Sequence, residues 1–274
     1  MGACYIATNV IARQSDGSDS TEKEMMMIKI GLMGYGKAGQ AVAEVLRVDP
    51  RYELCWVARR TAPAEPETIP GTEIPVIGLD KVSLGDWLDA HPVDALIDFS
   101  MPEAVFLYGE EVRKRKLMLV SAISAYGEKE LDYMRSLSED TRVLCSPNMT
   151  LGINFLIMAA RLLRDIAPLA DVEILEQHFR GKSEVSGTAR KIAESLSVED
   201  ERITSLRLGG IVGHHEVIFG FPYQTVRLIH NSIERKAFGT GAAFVLSQLA
   251  NCPNGLYTFD DLLMQKVRSQ LVAG

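Results

Sequence analysis

The chain has 274 residues, of which 47% are apolar and 24% charged, with a net charge of −7. That supports one large core or two smaller ones in an ordinary soluble protein, and the acidic balance with no long basic run argues against general nucleic-acid binding, a local basic pocket aside. Cys4, Cys55, Cys145 and Cys252 are scattered without metal-ligand spacing, so they read as reduced cytoplasmic thiols with no metal site, and no apolar run reaches the roughly 18 residues of a membrane span.

Residues 1–26 read as a disordered N-terminal extension. Gln14–Glu24 is wholly polar, and the weakly apolar Cys4–Ala12 lacks the basic start of a signal peptide. Met27–Met33 then reads as a short buried strand. Gly34-Tyr35-Gly36-Lys37-Ala38-Gly39 follows, and Gln40–Val48 has helical spacing. Strand, glycine turn and helix in that order suit a dinucleotide pyrophosphate, whose phosphates would face the helix N-terminus. The plainer alternative is a glycine turn with a packing role only. Tyr52–Ala58 is a second strand. Where an NAD site carries an acidic residue for the ribose 2′-hydroxyl, this chain has Arg59-Arg60. Two guanidiniums suit a 2′-phosphate, so NADPH is expected, with NADH possible; otherwise they are solvated side chains at a strand end.

Val93–Ser100 is another buried strand with a polar tip, and Pro102 opens a helix after it. Leu117–Ala122 and Arg142–Asn148 complete the series. Strands alternating with helical segments imply a Rossmann-type doubly wound parallel sheet. Ligands on such sheets lie beyond the carboxyl ends of the strands. Phe99, Ser100, Ser121, Ala122, Ser124, Pro147, Asn148 and Met149 are therefore expected to border the cofactor, with the glycine-turn residues and the arginine pair.

The second half reads differently. Gly152–Leu169 is a long apolar helical stretch broken at Pro168, and Val172–His178 alternates as a strand. Ile203–Leu208, Glu216–Gly220 and Thr225–His230 look like further strands, closely spaced, which implies a second α+β domain on an open mixed or antiparallel sheet. Ala237–Leu249 returns to helical spacing and is expected to pack on the nucleotide domain. The division is thus 27–149 with 237–274 for the dinucleotide, and 150–236 for substrate and oligomerisation.

The densest chemistry is Glu176-Gln177-His178-Phe179-Arg180-Gly181-Lys182, followed by Ser186-Gly187-Thr188. A histidine, whose ordinary pKa is about 6.5, is a suitable acid near neutral pH. A lysine ammonium stabilises developing negative charge and an anionic substrate. A Ser-Gly-Thr turn opening a helix makes a carboxylate cradle from N–H groups and hydroxyls. Alternatively His178 is a satisfied structural histidine. Arg180 braces its loop or reaches a neighbour. His214 and His215, adjacent on a strand, point to opposite faces and cannot share one ion, so loop or interface roles are expected for them. His230 is read as structural.

From Met27 to the C-terminus the chain resembles the 4-hydroxy-tetrahydrodipicolinate (dihydrodipicolinate) reductase family. The resemblance rests on the ordered series Gly34-Tyr35-Gly36, Asp98–Glu103, Asn148–Asn154, Glu176–Ala189, Gly210–His215 and Gly255-Leu256-Tyr257. It implies nicotinamide-dependent reduction of a cyclic unsaturated dicarboxylate in diaminopimelate and lysine synthesis by a homotetramer. It also implies that His178 donates the proton, that Lys182 binds substrate and supports proton transfer, and that Ser186, Gly187 and Thr188 hold one substrate carboxylate. Three departures stand out. Phe179 and Gly181 replace the family's second and third histidines. The loop Ser183–Thr188 is one residue shorter and lacks proline. Ser121-Ala122-Ile123-Ser124 replaces a glycine-rich stretch beside the nicotinamide, with loss of backbone freedom. They leave room for a paralogous reductase of another cyclic imine or enone acid; a non-catalytic NADPH sensor is the further alternative, against which the retention of His178 and Lys182 speaks.

Overall fold

The computed structural model describes residues 27–273; the expected extension 1–26 lies outside them, with Cys4. The first half runs β1 (Ile28–Met33), α1 (Lys37–Leu46), β2 (Tyr52–Arg59), β3 (Glu67–Thr68), β4 (Pro75–Gly78), α2 (Leu84–Ala90) and β5 (Ala95–Asp98). A short 3-10 turn at Pro102–Ala104 leads into α3 (Val105–Arg115), then β6 (Met118–Ser121), α4 (Glu128–Ser138) and β7 (Arg142–Cys145). The second half has α5 (Leu151–Ile166), β8 (Asp171–His178), α6 (Gly187–Leu196), β9 (Ile203–Arg207), β10 (Gly213–Phe221) and β11 (Gln224–Ser232). The chain returns through α7 (Lys236–Leu249), β12 (Gly255–Tyr257) and α8 (Phe259–Ala273).

Two sheets result. The larger is ordered β12-β7-β6-β5-β1-β2-β4-β3. Its pairings are parallel except at β3, which meets β4 antiparallel at the edge. Its strands are runs such as Ala95–Asp98 and Met118–Ser121 in which every residue is buried, because helices cover both faces. One face packs Val42 and Leu46 of α1, Val245 and Leu249 of α7 and Phe259 and Leu262 of α8. The other packs Leu88 of α2, Tyr108 and Val112 of α3 and Met134 of α4. This is the doubly wound Rossmann-type sheet expected. Arg142–Cys145 is not its last strand. β12 adds beyond β7, and it escapes sequence reading because Gly255-Leu256-Tyr257 is too short to show a period.

The second sheet is ordered β11-β10-β8-β9. β10 runs antiparallel to β11 and β8, while β8 and β9 are parallel because α6 crosses between them. It is the open mixed sheet expected. One face is covered by Ile153, Leu156 and Ile157 of α5 and Ile192 and Leu196 of α6. Successive side chains in a strand point to opposite faces, so the covered face reads as rows. Val172 sits in a row with Phe219 and Val226, and Ile174 with Val217, Leu228 and Ile203. Glu176 then aligns with His215, His230 and Ser205. His178 pairs with Arg207, and Gly213 with Ser232, at the end of the same face. The face is hydrophobic core along most of its length and becomes chemistry at its last two rows.

Candidate active site

The glycine turn is built by close approach. Gly34 has φ +89, a conformation side chains avoid, and a Cβ there would lie 2.6 Å from the Phe99 carbonyl. A Cβ on Gly39 would lie 1.8 Å from the Gly34 carbonyl oxygen. Gly36, at the N-terminus of α1, has ordinary dihedrals, and nothing lies within 4 Å of a Cβ built on it. Two of the glycines are thus demanded by the fold, whereas the third keeps a cradle clear over the exposed first turn of α1, which Lys37 begins. That is the shape a pyrophosphate requires. Tyr35 and Ala38 flank the turn, half-buried.

Arg59 and Arg60 both line a cavity of about 260 Å³ with Gly34, Ser100 and Asp80. Arg59 Nη1 also meets Glu67 Oε2 at 3.2 Å, both partners substantially exposed. At the carboxyl end of β5, buried Asp98 accepts from the Ser100 backbone N–H at 2.8 Å, the Ser100 hydroxyl and the Tyr108 hydroxyl at 2.7 Å. Burial pushes its carboxyl up, opposed by those bonds. Phe99 faces Phe238 of α7, ring centroids 6.2 Å apart. Ser121 is fully buried with its hydroxyl on Tyr126, which leaves half-buried Ala122 and exposed Ser124 as the accessible members of that stretch. Met149 is core, and its carbonyl lies where a side chain on Gly241 would have to go, so α7 presses on the strand-end loop. Pro147 is exposed, and Asn148 Nδ2 reaches Thr188 Oγ1 at 3.5 Å.

The second sheet supplies the titratable cluster. His178 is nearly buried, and its Nδ1 lies 2.5 Å from Glu176 Oε2. Glu176 has no exposed surface and accepts four further bonds: Arg207 Nη1 at 2.9 Å, Arg207 Nη2 at 2.7 Å, Ser205 Oγ at 2.7 Å and the Ser186 backbone N–H at 3.3 Å. Burial alone would raise its pKa. The bonds from Arg207, Ser205, His178 and Ser186 outweigh it and hold the carboxyl at about 2. An ionised carboxylate at Nδ1 accepts a proton there, so Nε2 is the ring nitrogen left for other chemistry. A Cβ on Gly213 would lie 3.3 Å from that Nε2. Val212, one residue before, lines a cleft of about 530 Å³ with Lys37 and Gln40 of α1 and with Arg235 and Lys236. The imidazole is thus packed against the Gly213 backbone, one residue from the lining of that cleft.

Ser186, Gly187 and Thr188 open α6. Its N-cap, Ser186, makes no capping hydrogen bond, and the space over Gly187 is open. The first-turn N–H groups are thus left without side-chain partners. Lys182 is half-buried, with its backbone closing a turn on Phe179 and its carbonyl accepting from Arg207 Nε at 2.8 Å. Its ammonium makes no ion pair among the described residues. Phe179 is 48% exposed beside Gly181, and Arg180 fixes its loop through a backbone bond to Gly209.

His214 and His215 are on β10, not in a loop. His214 Nδ1 is 2.7 Å from Asn231 Oδ1, while buried His215 turns to the covered face, its Nε2 2.9 Å from Ser186 Oγ. The loop or interface role does not describe His215. Glu176, Ser205, Arg207, Gly213 and His215 were not singled out as site residues. Their signal was a polar residue in the inward phase of an otherwise apolar strand: Glu176 follows Val172 and Ile174, and His215 precedes Val217 and Phe219. Among the described residues no helix is long and apolar enough to cross a membrane.

A doubly wound sheet with a glycine-turn cradle, joined to a sheet whose end gathers an imidazole, a carboxylate and a guanidinium, defines a nicotinamide-dependent oxidoreductase. Family models described as "Dihydrodipicolinate reductase, N-terminus" and "Dihydrodipicolinate reductase, C-terminus" match residues 28–149 and 149–263. The chain belongs to the dihydrodipicolinate reductase family. It is 31% identical to the 4-hydroxy-tetrahydrodipicolinate reductase of Caldanaerobacter subterraneus subsp. tengcongensis over 87% of this chain and 99% of that one. Identity to the Staphylococcus aureus (strain JH9) enzyme of the same name is 32%, over 86% and 100%. Among solved structures, dipicolinate-bound dihydrodipicolinate reductase from Paenisporosarcina sp. TG-14 superposes with a TM-score of 0.74 at 24% identity, covering 85% of this chain and 98% of that one. The DAP dehydrogenase of C. glutamicum in complex with DAP shares the fold at a TM-score of 0.55 and 11% identity, covering 90% and 98%.

Proposed function

We propose that the protein reduces 4-hydroxy-tetrahydrodipicolinate to tetrahydrodipicolinate with NADPH, the 4-hydroxyl leaving as water and His178 acting as proton donor. The observation that carries this reading is the buried Glu176–His178 pair, in which the carboxylate takes Nδ1 and leaves Nε2 free for proton transfer. Gly34, Tyr35, Gly36, Lys37, Ala38 and Gly39 would hold the pyrophosphate, with Arg59 and Arg60 at the 2′-phosphate and the strand-end residues Phe99, Ser100, Ala122, Ser124, Pro147 and Asn148 around the nicotinamide. When bound, that group supplies the hydride. Ser186, Gly187 and Thr188 then take one ring carboxylate at the open N-terminus of α6. Lys182 offsets the substrate's negative charge. Glu176 steadies the protonated imidazole, and Nε2 delivers its proton to the reduced ring.

The residues divide the work as 27–149 with 237–274 for cofactor and 150–236 for substrate. Outward Leu206 and Ile229 on the second sheet support assembly through that face; a cytoplasmic homotetramer is the form of it that the family resemblance implies. A spectrophotometric NADPH-oxidation assay with enzymatically generated substrate tests the reading. Turnover that His178→Ala removes is the expected result, and no turnover by the intact protein would refute it. One observation favours a second reading. Exposed Phe179 beside Gly181 puts an aromatic face where the family carries histidines, which suits a paralogous reductase of a less polar cyclic imino acid; faster turnover of such a substrate decides for it.

A further inference from the structure

We infer that His215 is a positioning residue, which turns the Ser186 hydroxyl proton out of the protein and toward the anion held at the N-terminus of α6. This rests on the reductase reading for the identity of that anion, but not for the geometry.

His215 is 4% exposed and stands opposite Glu176 across the β8–β10 pair. These two side chains clip the Ser186 turn onto the sheet. Glu176 Oε1 takes the backbone N–H of Ser186, and His215 Nε2 is 2.9 Å from Ser186 Oγ. The rings of His215 and His178 also meet in a T-shaped arrangement, centroids 5.3 Å apart, so the clip and the proposed proton donor are packed as one unit. His215 Nδ1 is buried and has no hydrogen-bond partner among the described residues. That decides the tautomer. A proton on Nδ1 would be a buried donor with nothing to bond, a rarer and costlier state than an unfilled acceptor. The proton therefore sits on Nε2, and Nε2–H donates to Ser186 Oγ. With a lone pair engaged by His215, the hydroxyl keeps its own proton free. No cap bond from an α6 N–H competes for the other lone pair of Ser186 Oγ, and the space over neighbouring Gly187 is open. The hydroxyl is thus left as one more donor at the mouth of a helix N-terminus that already favours a carboxylate. Were the tautomer reversed, Ser186 would donate inward to His215 and present only lone pairs to an anion.

The test pairs one structural and one functional measurement on the full chain. Nitrogen–proton correlation spectra of the unliganded protein should show His215 protonated at Nε2 and bare at Nδ1. His215→Leu should weaken pyridine-2,6-dicarboxylate binding in the presence of NADPH by about tenfold or more, the scale of one hydrogen bond to a charged group. It should raise KM for the diacid substrate by a similar factor with a smaller effect on kcat, and leave NADPH affinity within twofold. His215→Gln carries an amide N–H close to where Nε2 was and should restore binding to within about threefold of the starting protein. A purely structural role predicts equal loss of both ligands and no rescue, and that result overturns the inference. So does an Nδ1–H tautomer, whatever the diacid does. An intact protein that shows the Nε2–H tautomer yet ignores the diacid overturns the reductase reading instead, and upholds the geometry of the turn.

Discussion

Glu176→Gln replaces a carboxylate that accepts five bonds with an amide of the same shape. Oε1 receives from Ser205, Ser186 and Arg207 Nη2, and Oε2 from His178 and Arg207 Nη1. The amide oxygen must take the first position, where three donors converge. Its NH2 then faces the Arg207 guanidinium as donor against donor and demands a bare Nδ1 on His178. A carboxyl held at about 2 against its ordinary 4.5 corresponds to roughly 3 kcal/mol of preference for the charge. Removing one partner of a buried ion pair costs about 3–5 kcal/mol. The Arg207 side chain keeps 20% exposure, which favours the lower end. Loss of about 3 kcal/mol in a domain of this size lowers Tm on the order of 10 °C. The same substitution disfavours the doubly protonated imidazole, so kcat should fall by roughly a hundredfold or more, the scale of general acid catalysis. Differential scanning calorimetry and the NADPH-oxidation assay read the two effects separately. A variant with Tm within about 2 °C of the parent and kcat within about threefold would refute the argument that Glu176 anchors the site.

Gly36→Ala should leave stability unchanged or slightly raised by up to about 1 kcal/mol, since its dihedrals are ordinary and the space is open. NADPH affinity should nevertheless drop at least about tenfold by isothermal titration, because the methyl fills the cradle; unchanged affinity refutes the cradle. Gly39→Ala should instead destabilise the fold, as its methyl meets the Gly34 carbonyl, and a normal unfolding midpoint contradicts that. NADPH should bind more tightly than NADH, with Arg59→Glu narrowing or reversing the gap; a preference for NADH in the parent refutes the arginine reading. Lys182→Ala should lower turnover heavily with NADPH titration near normal, and equal loss of both points to a folding defect. Acid should destabilise the protein through His215. Burial, then neighbouring His178 and His230, lowers its pKa to about 3. Above pH 6.5 neither state carries the proton and nothing is lost. Below it the unfolded chain takes up a proton that the folded state refuses, so stability falls by about 1.4 kcal/mol per pH unit toward pH 3. Urea unfolding at several pH values should show that slope, reduced in His215→Leu between pH 6 and 5; an identical slope in the variant rejects it.

The first sheet was legible because burial on both faces forces continuous apolar runs, and the glycine turn announces where they serve a ligand. β3 and β12 were not legible, since strands as short as Glu67–Thr68 hold too few residues to show a period, and β4 opens on Pro75 and closes on Gly78, which read as turn residues. At the site, His178, Lys182 and the Ser-Gly-Thr turn stand close together in the chain and are read as a unit. Arg207, Ser205 and His215 come to them from other strands, through registers such as His178 with Arg207 and Glu176 with His215. Nothing local in the chain encodes those pairings. What is encoded is an anomaly of phase, a Glu or His at a position that alternation assigns to the core. Such a residue must find buried partners or shift its protonation. Glu176 finds them, and His215 stays neutral.

That anomaly explains why the chemistry sits where it does. A mixed sheet covered by two helices can bury charge only where the covering ends, and α6 begins at the level of the Glu176 row. The rows before it are Val172 with Phe219 and Ile174 with Val217, which fix strand register through apolar packing. A one-residue slip of β10 would move His215 and Val217 to the outer face together. The hydrophobic rows and the polar rows therefore specify one another. The core holds His215 opposite Glu176, and that opposition clips the Ser186 turn whose neighbour Thr188 touches Asn148 of the strand-end loop. Through that chain of contacts, packing in the second sheet ties the Glu176 row to the strand-end loop of the first.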